Sequence, residues 1–523
     1  MNRLLAKTSF GAAGLVTLLL LPIQGCTNLD EVPLSSLSPG NFYRNEAEVL
    51  AGLAGVYAQL RGPMWGYYNI SEISSDEMIV PTRGQDWYDN GTWLELHRQT
   101  WTASSPLGLG DINGAWNDAY RGIAAANATI EGLQSAPVAG KAALVAEVRV
   151  LRAWDYYMLM DFFGGVPIVT TTELATHPRN TRREVFDFIE KELIEASADL
   201  PTTRSAADNG RLTKGAADAI LANMYINAGV FTKETGINAS AYNSCDGVTV
   251  TGGDACAQAI AAADRVINSG VYQLAANFSD NFTASNYASP ENIFVVKFMA
   301  KQDLGLNFVM RALHYSQFNP SPWNGFATLA ETYNKFDAAD ARRNVFLVGP
   351  QVNVLTGAPV NDRAGNPLIF TTTINDATQA TEGEGARIYK YPADPNHVAQ
   401  DNGNDYAWFR LAEMYLIKAE ALNEQSPGSA AALALLNTLR ARDFNPAQPL
   451  GAVDRNVILN ERLFELVGEG KRRQDLIRFG GYTGRADSGI LNGKVASDAH
   501  YILMPIPQTQ LDANPLLTQN PGY

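Results

Sequence analysis

VRVLRAWDYYMLMDFFGG, from Val148 to Gly165, carries bulky apolar residues on most sides of a helical period. A helix of that kind leaves little face for water and must be packed between neighbours. Those neighbours should also be helices, because one-faced apolar stripes recur on both sides of it. Upstream, NEAEVLAGLAGVYAQL places Val49, Leu53, Val56, Tyr57 and Leu60 at helical spacing, with Asn45 as N-cap and Glu48 three residues on. Trp116, Ala119, Tyr120, Ile123, Ala124 and Asn127 form a second stripe. Downstream, Thr181 and Glu184 make a capping box for a stripe of Phe186, Ile189, Leu193, Ala196 and Leu200, and Pro201 marks its end. The same offsets return at Ala217, Ile220, Leu221, Met224, Tyr225 and Ala228, and again at Trp408, Leu411, Ala412, Tyr415, Leu416 and Ala419, followed by Ala432, Leu435, Leu436 and Leu439.

Paired helices with aromatic and alanine positions inside resemble tetratricopeptide-type hairpins, whose period of about 34 residues the step from Trp116 to Leu151 fits. The expected fold is mainly α, with tetratricopeptide-like helical hairpins forming a scaffold that carries long irregular loop insertions and a few short strands. The insertions are residues 62–114 and about 231–405, rich in Gly, Asn, Asp, Thr and aromatics, with strand-like runs such as NIFVVKF. Long irregular segments in a compact protein usually carry function.

The first residues have the order of a secretory signal peptide: Arg3 and Lys7, an apolar run from Phe10 to Leu21, then Gly25 before Cys26. The apolar run is shorter than the roughly 20 residues a membrane-spanning helix needs. A small residue followed by cysteine at the cleavage point resembles the bacterial lipobox, so Cys26 is the expected lipidation site. Each buried acyl CH₂ contributes about 0.8 kcal/mol, so several chains together hold a soluble body at a membrane. The expected organisation is a signal peptide at 1–25, a lipidated N-terminus and tether at 26–44, and one helical domain at 45–523. Within that domain the scaffold occupies about 45–61, 115–230 and 406–480, and a loop-rich ligand face about 62–114 and 231–405. Cys245 and Cys256 remain, eleven apart; an exported chain suggests a disulfide closing a surface loop, with a free pair as the alternative.

With 54 acidic against 40 basic side chains the net charge is −14, which excludes a nucleic-acid surface. The sequence holds no HExxH, GxSxG, Walker loop or GxGxxG, and the five histidines share no metal-ligand spacing. No cofactor or metal is expected. Aromatic density stands out instead. MWGYYNISEISSDEMIVPTRGQDWYDNGTWLELHRQTW, Met64 to Trp101, interleaves Trp65, Tyr67, Tyr68, Trp87, Tyr88, Trp93 and Trp101 with Asp76, Arg83, Asp86, Asp89 and Asn90. Sugar rings offer apolar C–H faces and equatorial hydroxyls, so their receptors need flat aromatic platforms edged by amides, carboxylates and guanidinium groups. Trp93 and Trp101 are expected in the core. Trp87 and Tyr88, with Asp76, Arg83, Asp86 and Asn90, are ligand candidates, and LHYSQFNPSPWNGF, Leu313 to Phe326, offers a second aromatic group of Tyr315, Phe318, Trp323 and Phe326 among prolines and asparagines. The charges Glu461, Arg462, Glu465, Glu469, Arg472, Arg473, Asp475 and Arg478 alternate in sign over helical distances and are expected to form an ion-pair lattice fixing helix ends.

Nine segments, in order, resemble the SusD/RagB family of outer-membrane nutrient-binding lipoproteins: GCTNLDEVP, NFYRNEAEVLAGLAGVYAQL, AEVRVLRAWDYYMLMDFFGGVPIV, GRLTKGAADAILANMYINAG, YNKFDAADARR, DYAWFRLAEMYLIKAEALNE, LNTLRARD, ILNERLFELVGEGKRRQDLIRFG and YILMPIPQTQLDANPLLTQNPGY. The resemblance implies a helical, non-enzymatic protein that sits on the cell surface as a lid over a SusC-like TonB-dependent transporter and helps capture glycans or other oligomeric nutrients. Asp30 and Glu31 resemble the acidic export signal of such lipoproteins, and the Leu313 to Phe326 stretch resembles the family region that contributes to the ligand face, which adds Tyr315 and Trp323 to the expected ligand residues. The expected function is therefore glycan or oligosaccharide binding and delivery to that transporter, at the outer membrane through the lipid anchor. A helical interaction scaffold of a peptide or other nutrient uptake complex is the alternative, and a surface glycoside hydrolase a further one.

Overall fold

The frame starts at Asn45, whose side chain accepts the Glu48 N–H at 3.0 Å. That bond satisfies one of the N–H groups a first helical turn leaves unpaired. Helix α1 (Glu46–Gln59) follows, then two short helices, α2 (Gly66–Ile73) and α3 (Thr92–Arg98), and the long pair α4 (Leu109–Ser135) and α5 (Lys141–Phe163). The computed structural model describes residues 42–104 and 109–523. Cys26, Asp30, Glu31, the expected signal peptide and most of the tether lie outside the described residues.

The chain continues with α6 (Arg182–Ser197), α7 (Lys214–Ile226), the one-turn α8 (Ala228–Phe231) and α9 (Ala255–Ile267). The short α10 (Phe308–Ala312) and α11 (Ala330–Tyr333) precede α12 (Leu411–Gln425), α13 (Ala430–Asp443), α14 (Arg455–Leu466), α15 (Arg472–Arg478) and α16 (Gln508–Ala513). In space α1, α4, α5, α6, α7, α9 and α12 pack each on the next, and α12 also packs on α13 and α14. This row of paired helices is the tetratricopeptide-like scaffold. The Thr181 capping box of α6 forms as expected, with both of its hydrogen bonds present.

Every residue of α5 from Val150 to Phe163 is buried. Two of its sides face α4 and α6. A third meets a two-stranded antiparallel ladder, Asn292–Val296 against Tyr406–Arg410, where Trp154 touches Phe294, Trp408 and Phe409 with ring centroids 5.2–5.6 Å apart. The stripe expected to begin at Trp408 therefore starts as a strand, and the helix begins only at Leu411. All five residues Tyr406–Arg410 are buried, so a strand covered on both faces has no alternation to separate it from a helix in the sequence.

The regions expected as loops hold α2, α3 and α9 as well. Helix α9 is a full member of the row, inserting between α7 and α12 with Ala255, Ala259, Ala262, Ala263 and Val266 buried. Its stripe is almost all alanine, which makes its periodicity faint. Cys245 and Cys256 are joined in a disulfide with Cα atoms 5.0 Å apart; both side chains are buried, and the loop they close, residues 246–254, is mostly exposed.

The charge lattice forms, but in the interior. All eight of its side chains from Glu461 to Arg478 are buried. Arg410 is its centre, donating to Glu291 at 2.5 Å, Glu465 at 3.1 Å and Glu469 at 2.6 and 2.9 Å. Arg442 reaches Glu465 at 2.7 Å, Arg478 holds Glu420 at 2.5 and 2.9 Å, and Arg462 donates to Asp475 at 2.8 Å. Burial pushes the Glu465 and Glu469 carboxyls up, and the surrounding Arg410 charge, with Arg442 for Glu465 and Lys390 for Glu469, more than offsets it, leaving both below the usual carboxylate range.

Candidate functional site

Helix α10 is only five residues long, and its C-terminal carbonyls need partners. The chain supplies them by turning back on itself. The N–H groups of Trp323, Asn324, Gly325 and Phe326 donate to the carbonyls of Met310, Leu313, Arg311 and Arg311 at 2.7–2.9 Å. Two buried arginines then clamp the returned segment: Arg83 donates to the Asn324 carbonyl at 3.0 Å, and Arg387 to the Asn324 side-chain oxygen at 2.9 Å. Against it lies Trp87, whose Nε1 donates to the Trp323 carbonyl at 2.6 Å. A Cβ on Gly325 would stand 2.3 Å from the Trp87 ring, so only glycine admits the indole there. Trp87 and Asn90 both take left-handed backbone, with φ of 60° and 56°. Residues held in that region cost free energy and cluster at functional sites.

The rings form a face. Trp323 stands between Trp65, at 6.2 Å with planes 25° apart, and Trp87, at 6.4 Å with planes 51° apart. Trp93 meets Trp87 edge-on at 5.2 Å, and Phe326 backs both of them. Trp65 is 41% exposed and Tyr88 54% exposed, while Trp87, Trp93 and Trp323 are half-buried. Polar groups edge the rings. Asp86 accepts the Tyr315 hydroxyl at 2.5 Å and an Arg363 N–H at 2.8 Å, and the Arg363 guanidinium lies 3.7 Å over the Tyr315 ring. Burial and the Asp86 hydrogen bond push the Tyr315 phenol up to about 12, so it stays a neutral donor at physiological pH. Asn90 is exposed on the same turn as Tyr88.

The structure thus brings Trp87, Asp86, Tyr315 and Trp323 together, with Tyr88 and Asn90 exposed on the turn beside Trp87. Two expected ligand residues are committed elsewhere. Arg83 is buried and spends its donors on the carbonyls of Asn324, Thr381 and Glu384, which makes it a clamp beneath the face. Asp76 is drawn into the interior charge lattice, accepting from Arg472 at 2.7 and 2.9 Å and from Lys335 at 3.3 Å. Trp101 is fully buried as expected, donating to the Tyr523 hydroxyl at 2.8 Å, but Trp93 belongs to the face. Sequence reasoning passed over Trp65, Arg311, Phe326 and Arg363 as site residues. Trp65 and Phe326 lay inside the two aromatic stretches; nothing in the NDRAGNP setting of Arg363 points to a tyrosine 48 positions away.

Flat ring faces with carboxylate, amide, phenol and guanidinium groups at their edges can stack on and hydrogen-bond a ligand. Among the described residues no group of three or more His, Cys, Asp and Glu side chains is placed to hold a metal ion. No helix among the described residues is long and apolar enough to cross a membrane.

Two family models match this sequence, one described as "SusD family" over residues 268–523 and one as "Starch-binding associating with outer membrane" over residues 47–226. The SusD-like protein P2 of Formosa agariphila is 26% identical, with 97% of this chain and 98% of the relative covered. The starch-binding protein SusD of Bacteroides thetaiotaomicron is 25% identical, with 99% of each chain covered. Among solved structures, a laminarin-binding SusD-like protein shares the fold with a TM-score of 0.72, at 24% identity and with 92% of this chain and 100% of that chain covered. Surface glycan-binding protein A from Bacteroides thetaiotaomicron, in complex with laminarihexaose, does so with a TM-score of 0.70 at 20% identity, with coverages of 91% and 99%.

Proposed function

This chain belongs to the SusD family, and on that footing we propose that it is a non-enzymatic outer-membrane lipoprotein that binds a glycan on its aromatic face and delivers it to a SusC-like TonB-dependent transporter. One observation carries the reading: Trp65, Trp323 and Trp87 line up with their rings partly open to solvent, on a backbone fixed by α10, Arg83 and Arg387. A receptor arranged before its ligand arrives loses little entropy on binding. Trp87, Trp323, Tyr88 and Tyr315 supply stacking, and Asp86 and Asn90 supply hydrogen bonds. Relatives named for starch and laminarin binding support a glucan-like ligand. Cys26 carries the acyl anchor after removal of residues 1–25, residues 26–44 act as tether, and residues 45–523 form the binding domain, which faces the extracellular side.

Each stacking contact contributes on the order of 1 kcal/mol, so affinity comes from several rings together and is modest. The test is titration of intrinsic tryptophan fluorescence and calorimetry against a panel of oligosaccharides that includes maltohexaose and laminarihexaose. Saturable binding that is lost in Trp323→Ala supports the reading. No saturable response to any glycan, with a transporter complex still formed, would point to the pure scaffold. Mass spectrometry of the mature N-terminus tests the anchor, and an unmodified Cys26 would refute it.

A further inference from the structure

Arg311 lies in α10, 2% exposed, and among the described residues it makes no ion pair. Its polar partners are neutral amides: Asn69 Oδ1 at 2.9 Å and Asn307 Oδ1 at 3.1 Å. Rings take up the rest of its surface. The guanidinium carbon is 3.9 Å from the Trp65 ring centre, 5.0 Å from Phe308, 5.8 Å from Tyr68 and 5.9 Å from Phe326. Burial lowers its pKa to about 10, so it remains charged at neutral pH.

The Asp111 carboxylate, which accepts from Asn69 Nδ2 at 3.4 Å, offsets only part of the cost of burying this charge and does not pair with it directly; replacing a buried charge held in this way by an apolar side chain of like volume is often neutral or stabilising. Stability therefore does not explain the arginine. Trp65 does. It sits at the junction between a single 3₁₀ turn and α2, with 41% of its surface exposed. What orients the ring is the guanidinium on one side, in the short-range geometry in which a cation attracts an indole face, and Trp323 on its flank. We propose that Arg311 is a positioning residue that holds Trp65 as the outermost platform, extending the ligand face from the Trp87–Trp323 pair to a third ring. On the glycan-binding reading above, from which this follows, Trp65 engages the sugar units of a longer oligosaccharide that a disaccharide does not reach.

The experiment compares wild type, Arg311→Met, Arg311→Lys, Trp65→Ala and Trp323→Ala for binding of laminaribiose and laminarihexaose, and of maltose and maltohexaose, with thermal melting of each variant. Expected is a loss of about tenfold in hexasaccharide affinity, equivalent to about 1.4 kcal/mol, in both Arg311→Met and Trp65→Ala. Disaccharide affinity stays within about twofold, and the melting temperature of Arg311→Met is at or above that of wild type. Arg311→Lys, which keeps the charge, recovers part of the hexasaccharide affinity. If Arg311→Met binds the hexasaccharide as wild type does while Trp65→Ala and Trp323→Ala do not, the positioning role is wrong and the glycan face stands. Equal losses for both lengths with a lowered melting temperature would make Arg311 structural only. If Trp323→Ala binds normally, or wild type binds none of the four sugars, the glucan-binding reading fails and the inference with it.

Discussion

Arg410→Met tests whether the interior charges act as one unit. The side chain removed is fully buried and donates to three carboxylates, Glu291, Glu465 and Glu469, each 2% exposed or less. Methionine fills similar volume, so the loss is chiefly electrostatic. Removing one partner of a buried pair costs about 3–5 kcal/mol, because an uncompensated charge is left behind. Lys390 and Arg442 still reach Glu469 and Glu465, at 2.5 and 2.7 Å, which places the expected loss toward the lower end of that range at pH 7.5. The pH dependence is the sharper test. In wild type Glu465 and Glu469 titrate below their unfolded value of about 4.3, so the stability they add is complete at pH 5 and above and is lost as pH falls below that value. Without Arg410 the burial of these carboxyls is less well offset, and their folded pKa values rise above the unfolded one. The folded variant then takes up protons between pH 7.5 and 5 that the unfolded chain does not, so its deficit shrinks by about 1–2 kcal/mol over that interval. Urea unfolding followed by far-UV circular dichroism at the two pH values measures both quantities. A deficit below about 1 kcal/mol, or one that is the same at pH 7.5 and pH 5, would refute the reasoning.

Three further outcomes are expected. Burial pushes the Glu72 carboxyl up to about 7 and its hydrogen-bonded neighbour Glu77 well above the usual range, so the folded state keeps protons that the unfolded chain releases, and stability falls as pH rises from about 4.3 through 7. Glu77→Gln should therefore match wild type near pH 4.5 and exceed it by about 1–3 kcal/mol at pH 8; a variant less stable at pH 8 would contradict this. Replacing both Cys245 and Cys256 by serine opens the short loop their disulfide closes and should lower the unfolding free energy by about 3 kcal/mol, read as a lower urea midpoint; an unchanged midpoint would mean the bridge contributes nothing. Gly325→Ala puts a methyl group into the Trp87 ring and should break its bond to the Trp323 carbonyl, shifting tryptophan emission and weakening glycan binding about tenfold, while far-UV circular dichroism is retained; wild-type emission and affinity would show that the indole has room to spare.

Much of the scaffold was legible because its signals are local. Caps such as Asn45 and Thr181 act on atoms three residues away, and stripes such as Phe186 to Leu200 report the one face their helix buries. Where burial is on every side the signal weakens: the strand Tyr406–Arg410 was read as the start of a helix, and the alanine stripe of α9 was lost among loop residues. In the aromatic face, residue types were readable and roles were not. Arg83 and Asp86 stand three positions apart in one polar stretch, yet one is a buried clamp and the other an edge of the face, because their partners come from Asn324 and Tyr315.

The sequence by itself determined the helical pairs, the disulfide candidates, the family likeness and the two aromatic stretches, since composition and short-range spacing carry all of these. Only the tertiary structure decided that Trp87 lies on Gly325, that Trp65 joins Trp323 over Arg311, and that the alternating charges from Glu461 to Arg478 are interior. The contact between Trp87 and Trp323 spans 236 positions. No periodicity reaches across that separation, and which side chains meet there is set by the packing of the whole frame.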